Sequence, residues 1–486
     1  MLRALARVLG TLVLALAAAA VVLAGVAAWR VARYEQVDDP AALARKQREL
    51  AAMAEAARQA EAPRPNVVVL LFDDLGLGDL GATGSRALAT PRLDALAAQG
   101  MVLDRYYAPA PVCTPSRAGL LTGRWPIRTT LAHVVFPTGH PIDRWQRLRG
   151  APVRLPSDEI TLAEGLRAAG YATAAIGKWH LGDRHPSLPR DLGFDHWFGV
   201  LYSNDMAPLP LWRDDAVVAP HPVDQATLTP LYTDEAIRFI ERHREHPFFV
   251  YLAHTFPHVP LHATPAQAGR SEGGLYGDVV ADLDRSTGAI LDALDRLGLA
   301  ENTLVVATSD NGPWLQGSAR GVRGRKVEPF EGGMRVPFLA RWPGRIPAGA
   351  RSDAVACGID LLPTLLALAG VPLPGDRAID GIDLGPVLTG RGPAPERPIF
   401  YYAERELRAV RLGRYKWFER QGIAYPALTG LPFAPLLTGG PWLFDLERDP
   451  DEAYDVHARE SEAFGRLARL AAEHRAELEA NPRGWR

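Results

Sequence analysis

Two cysteines in 486 residues are too few for a disulfide framework, so burial of a core must hold this chain together. Neither sign of charge is in excess. Lys and Arg total 54 against 56 Asp and Glu, a net charge of −2, which excludes the basic footprint of a nucleic-acid binder. No internal repeat or long low-complexity tract is present. The proportions of 47% hydrophobic and 23% charged residues exclude collagen-like and disordered classes. The length admits about three domains, or one large domain with an appendage.

The N-terminus holds an uncharged run of 21 residues, Leu9 to Trp29. Arg3 and Arg7 precede it, and Arg30 and Arg33 follow. Such a run is long enough to span a bilayer. A cleavable signal peptide has a shorter apolar stretch and a small-residue cleavage site, for which Gly25 to Ala28 could serve; the length of the run favours a signal anchor. On either reading residues 1–29 export the chain to a periplasmic or other extracytoplasmic location, with the membrane as a partner if they are not cleaved. Residues 30–63 are rich in Ala, Arg, Gln and Glu and contain no Gly. They read as an exposed helical stalk or linker ended by Pro63.

After Pro65 the pattern changes. NVVVLLFDD (66–74), YATAAIGKWH (171–180), FFVYLAHTFPH (248–258) and TLVVATSDNG (303–312) are apolar runs of the kind buried in parallel sheets, each ending in polar residues. Helical patterns lie between them, at 161–170 and 276–298. The alternation predicts a doubly wound α/β domain over 64–384, a large mixed or parallel sheet sandwiched by helices. From 385 to 486 short strands, a turn at Gly413-Arg414 and a helix from about Ser461 to Ala480 predict a smaller antiparallel sheet plus helix, with little direct chemistry.

Polar residues follow each apolar run: Asp73 and Asp74, Lys178 and His180, His254 and His258, Asp310 and Asn311. Open α/β sheets bind ligands outside the carboxyl ends of their strands, so these form a candidate site. Asp73, Asp74, Asp310 and Asn311 offer only oxygen donors, which suits calcium or magnesium rather than zinc. In PVCTPSRAGLLTG (111–123), Pro115 fits a first helical turn. Cys113 then lies at a helix N-terminus, in a positive field, with Arg117 one turn later.

This segment resembles the signature of the type I sulfatases of the alkaline phosphatase superfamily. GYATAAIGKWHLG (170–182), DDLGLGDLGATG (73–84), PHVPLH (257–262), SDNG (309–312), GRKVEPFEGGMRVPF (324–338) and PWLFDLERDPDEAYDV (441–456) resemble its other blocks, in the family's order. The resemblance implies an alkaline-phosphatase-like fold and a sulfated small molecule or glycan as substrate. It also implies a maturation enzyme that oxidises Cys113 to formylglycine. The hydrated aldehyde would attack sulfur with one hydroxyl and use the second to release sulfate. Calcium, before magnesium, would be held by Asp73, Asp74, residue 113, Asp310 and Asn311. Asp310 would act as base, and Arg117, Lys178 and Lys326 would hold sulfate oxygens. His258 and Lys326 would serve the leaving alkoxide, and His180 the collapse of the sulfated diol.

Two other readings stand beside this one. A phosphodiesterase or phosphonate monoester hydrolase of the same superfamily would more often show Ser or Thr as nucleophile and ligands for a second metal. A dead, membrane-anchored binding protein would have lost the Cys, the Arg or a metal carboxylate, and all are present. His133, His140, His254 and His262 are not placed by the sequence. Cys357 reads as core packing, while Trp179 and Trp314 could stack on substrate or simply pack. Substrate discrimination falls to loops 128–155, 184–232 and 420–441.

Overall fold

The computed structural model describes residues 2–60, 64–419 and 439–486. Ten strands form the main sheet: β1 Asn66–Phe72, β2 Met101–Tyr107, β3 Ala172–Lys178, β4 His196–Val200, β5 Leu211–Arg213, β6 Ala216–Ala219, β7 Phe248–Ala253, β8 Thr303–Ser309, β9 Phe338–Arg341 and β10 Ala350–Cys357. Their order is β10-β2-β9-β8-β1-β7-β3-β4-β5-β6. The central run β8-β1-β7-β3-β4 is parallel throughout. Pairings of β9 with both neighbours, and of β5 and β6, are antiparallel, so the sheet is mixed.

Alternation of side chains along β1 shows why this strand is apolar without interruption. Val67, Val69 and Leu71 join one core layer, with Leu120, Leu121, Leu162, Leu166 and Leu365 from helices Cys113–Thr122, Leu162–Ala168 and Leu361–Leu368. Val68, Leu70 and Phe72 face the other layer, formed by Phe239, Ile240, Val279 and Leu283 of helices Leu228–Arg242 and Gly274–Arg296. Edge strand β10 instead alternates between exposed and covered positions over much of its length.

The tail forms the expected antiparallel meander, β11 Ile399–Ala403, β12 Glu406–Leu412, β13 Tyr415–Phe418 and β14 Trp442–Asp445, in that order. Helix Ser461–Ala480 covers it, burying Leu467 and Ala471 in a third core with Phe400, Leu443 and Phe444.

The N-terminal helix carries a span, Leu9–Arg33, with mean hydropathy 2.5 and no part of its apolar window buried; by length and composition it can cross a membrane. The following segment departs from expectation. Helix Pro40–Gln59 forms, capped by Asp39, but it is no exposed stalk. Met53 and Ala57 enter the main core. Buried Lys46 reaches Glu164 at 2.6 Å and the Ser157 carbonyl at 2.7 Å. Asp38 pairs with Arg154 at 2.8 Å. Only four of the helix's positions are buried, Ala42, Lys46, Met53 and Ala57, a stripe too narrow and too rich in Ala to read as amphipathic.

Candidate active site

The five parallel central strands end level with one another. Phe72 is in register with Ser309, Leu71 with Ala253, Gly177 with both Ala253 and Gly199, and Lys178 with Val200. The residues just beyond these ends therefore converge without any long loop having to fold back. Gly177 is required by this convergence. Its φ is +102°, and a Cβ there would lie 1.9 Å from the Ala253 carbonyl oxygen. Asp74 and His180 hold left-handed backbones, with φ of 67° and 65°. Strain of this kind concentrates at working sites.

Cys113 opens helix Cys113–Thr122 with Val112 as its extended N-cap. Its Sγ lies 3.5 Å from Asp73 Oδ1. Lys178 Nζ donates to Asp73 Oδ2 at 2.6 Å and to Ser203 Oγ at 3.1 Å. Lys326 Nζ sits 2.8 Å from Asp74 Oδ1. Arg117 is fully buried; its Nε and Nη2 hold Asp310 Oδ2 at 3.0 and 2.9 Å, and Nη1 donates to the Lys178 carbonyl at 2.7 Å. Ser116 Oγ donates to the Asp310 carbonyl. Three buried carboxylates thus face three buried cations, which offsets the cost of taking either set out of water.

These fields act in both directions. Burial pushes Asp73 up, but Lys178, His258, Arg117 and Lys326 overrule it and hold the carboxyl far below the usual range. Asp310 is pushed up to about 6 by burial and by the Asp73 charge, against Arg117. Burial raises the Cys113 thiol well above its ordinary value despite Lys178 and Lys326. As a thiol it is a poor nucleophile in this place.

Hydrogen bonds fix both histidine tautomers. His180 Nε2 meets the Val135 carbonyl at 3.0 Å, which can only accept, so Nε2 carries the proton. Its Nδ1 is buried and unpartnered among the described residues. His258 Nδ1 meets Asn204 Oδ1 at 3.0 Å and the Val259 carbonyl, leaving Nε2 to face Asp74 Oδ2 at 3.8 Å. Burial lowers both imidazoles; the Lys178 charge adds to this for His180, and Lys326 for His258.

A cavity of about 190 Å³ opens on Cys113, Asp74, His180, His258 and Lys326, with Ser203, Phe136 and Trp314 on its walls. Ligand atoms of Asp73, Asp74, Cys113 and His258 lie within 4.8 Å of one another. Asn311 Nδ2 donates to Asp74 Oδ1 at 2.7 Å, while its Oδ1 is buried without a partner among the described residues. A carboxylate pair beside an orphaned amide oxygen fits a hard cation.

Residues 65–371 match the family described as Sulfatase, and residues 326–473 match the C-terminal region described for N-sulphoglucosamine sulphohydrolase. The chain belongs to the sulfatase family. It is 40% identical to the N-acetylgalactosamine-6-sulfatase of Sus scrofa, over 84% of this chain and 84% of the relative. Human arylsulfatase A is 38% identical over 83% of this chain and 85% of its own. Among solved structures, the PsFucS1 sulfatase of Pseudoalteromonas sp. superposes with a TM-score of 0.76 at 26% identity, over 92% of this chain and 96% of that one. This sulfatase is a sulfuric ester hydrolase of the carbohydrate or aryl sulfate type.

All nine expected site residues of this sulfatase other than Cys113 are buried with it in one cluster. Those on the cavity wall are Asp74, Cys113, His180, His258 and Lys326; Arg117, Lys178, Asp73, Asp310 and Asn311 lie behind it. Trp314 lines the cavity, whereas Trp179 packs edge-on against Phe194 and donates to the Ser187 carbonyl at 2.9 Å. Cys357 is core. His254 is buried against Phe72 and bonds Ser286 at 3.2 Å, away from the cavity. Most of loop 420–441 lies outside the described residues. Two residues were missed from the sequence: Ser203, which bridges Lys178 and His258 at 3.1 and 3.4 Å, and Asn204, which orients His258. The signal was there, since Tyr202-Ser203-Asn204 follows the apolar end of β4 as the other polar groups follow theirs.

Proposed function

We propose that this sulfatase hydrolyses a sulfated sugar or aryl sulfate at the 190 Å³ cavity, with Cys113 converted to formylglycine and a hard divalent cation, calcium before magnesium, beside it. The observation that carries this reading is the position of Cys113 at a helix start on the cavity wall, 3.5 Å from Asp73 and within the cation-ligand cluster. Hydrated formylglycine supplies an oxygen nucleophile with a second hydroxyl through which the sulfated group can break down. Asp73, Asp74, Asp310 and Asn311 would hold the cation, which supplies Lewis acidity and lowers the pKa of that hydroxyl.

The chain's own residues do the rest. Lys326, on the cavity wall, holds sulfate oxygens and stabilises the leaving alkoxide. Lys178 and Arg117, behind the wall, fix the carboxylates of Asp73 and Asp310 by the bonds described above. Asp310 is the candidate base for the attacking hydroxyl. His180 presents a bare Nδ1, which would accept a proton from a hydroxyl carried by residue 113. His258, oriented by Asn204, turns Nε2 toward Asp74 and the same space. Maturation requires an enzyme that recognises the Cys113, Pro115 and Arg117 segment. The apolar N-terminal helix supports an extracytoplasmic enzyme, anchored or secreted.

Parallel assays of an aryl sulfate and an aryl phosphodiester test this reading. Turnover of the sulfate by at least ~100-fold over the phosphodiester supports it, and the reverse preference establishes the phosphorus-ester alternative.

A further inference from the structure

A second cavity of about 320 Å³ adjoins the catalytic one. Val134 and Phe136 line both cavities, so the two lie side by side. The second cavity differs in character from the catalytic one. Trp145, 51% exposed, stands on its rim with the Arg149 guanidinium 4.5 Å from its ring centroid. Across from helix Pro141–Leu148, the turn between β11 and β12 contributes exposed Glu404 and Arg405. Glu404 holds a left-handed backbone, φ 51°, where Gly or Asn would be unstrained. His133 lines the cavity with its Nε2 bonded to the Pro152 carbonyl at 2.8 Å. One side of this cavity is pinned, because Tyr34 donates to the Ala151 carbonyl at 2.7 Å and Gln36 Oε1 accepts from Val153 N at 2.9 Å.

We propose that this adjoining cavity is a second sugar subsite, taking the next residue of an anionic glycan. The proposal rests on the reading of the chain as a sulfatase and narrows its substrate class to oligosaccharides. An exposed Trp offers an apolar face to a pyranose ring. Arg149 and Arg405 offer forked donors for a carboxylate or a second sulfate. Glu404 accepts from sugar hydroxyls. A small aryl sulfate, by contrast, is accommodated by the catalytic cavity alone. The C-terminal subdomain, read from sequence as contributing little chemistry, would thus help to choose the substrate.

The test uses the full chain in detergent, with turnover of 4-nitrophenyl sulfate as the readout. Tetrasaccharides of chondroitin sulfate and heparan sulfate serve as competitors, compared between wild type and the variants Trp145→Ala, Arg149→Glu and Arg405→Glu. At least one tetrasaccharide should inhibit the wild type competitively. In each variant the ratio of its inhibition constant to the aryl sulfate KM should rise about tenfold or more. The proposal is overturned if neither tetrasaccharide competes, or if the ratio stays within twofold in all three variants. In those cases aryl sulfate turnover persists and the sulfatase reading stands. Absence of aryl sulfate turnover in formylglycine-bearing wild type would instead overturn that reading and the proposal together.

Discussion

Deleting the helix before the catalytic body should weaken the whole fold, although that helix carries no site residue. Lys46 is buried and its Nζ lies 2.6 Å from Glu164 Oε1. Removing the ammonium leaves Glu164 with its capping bond to the Thr161 amide at 3.0 Å and no cation. Breaking a buried pair from one side costs about 3–5 kcal/mol. Met53, 1% exposed, sits in the core with Leu366 and against Gly165, and truncating such a side chain to Ala costs about 2–5 kcal/mol. An unfolding entropy of about 2.1 cal/mol/K per residue converts 1 kcal/mol into about 1 °C for a chain this long. Lys46→Ala should therefore lower Tm by about 3–5 °C. Lys46→Met with Glu164→Gln, which keeps the cap and removes the charge, should recover most of that loss. Calorimetry should show a chain starting at residue 30 melting with the full chain, and one starting at residue 64 melting well below it or failing to fold. If the chain starting at residue 64 melts within a degree or two of that starting at residue 30, the packing argument is refuted.

Other outcomes follow from the site and its surroundings. Asp310→Asn should reduce aryl sulfate turnover at least about a hundredfold, and extensive chelation of divalent cations should abolish it, reversibly on adding calcium. Trp179→Ala should destabilise by about 3–5 kcal/mol, as expected for a large buried aromatic, whereas Trp314→Ala should leave Tm nearly unchanged and alter KM. His254 and His474 are buried neutral, with pKa lowered to about 3 by burial alone and to about 4 by burial and then Arg128. Both lie below the unfolded value of ~6.5, so the stability they contribute is present above that pH and lost as pH falls toward 4 and 3. Urea unfolding of His254→Leu should accordingly fall less steeply between pH 6 and 4 than that of the wild type.

The central strands and the site were legible for the same reason. A strand buried on both faces must be apolar throughout, so a charged residue at its end stands out, and Asp73, Lys178, His258 and Asp310 lie at or just beyond four neighbouring strand ends. Ser203 and Asn204 escaped because β4 spans only His196–Val200 and its run is broken by Gly199. The packing of helix Pro40–Gln59 was illegible because Lys46 and Ala57 contact the core without an apolar stripe to announce it. Nor could the sequence show that the turn at Glu404 reaches the cavity beside the site, since that juxtaposition depends on how the small sheet docks. Arg117 was expected to face sulfate directly. In the structure its guanidinium instead meets the carboxylate of Asp310, contributed from 193 residues away in sequence, a pairing that no local pattern announces.

The most direct test joins peptide mass spectrometry of residue 113 to turnover of aryl sulfate in the same preparations, made with and without the maturation enzyme. Activity should rise in proportion to the fraction of Cys113 present as formylglycine and vanish in Cys113→Ala. Full activity in protein whose Cys113 is quantitatively an unmodified thiol would contradict the account.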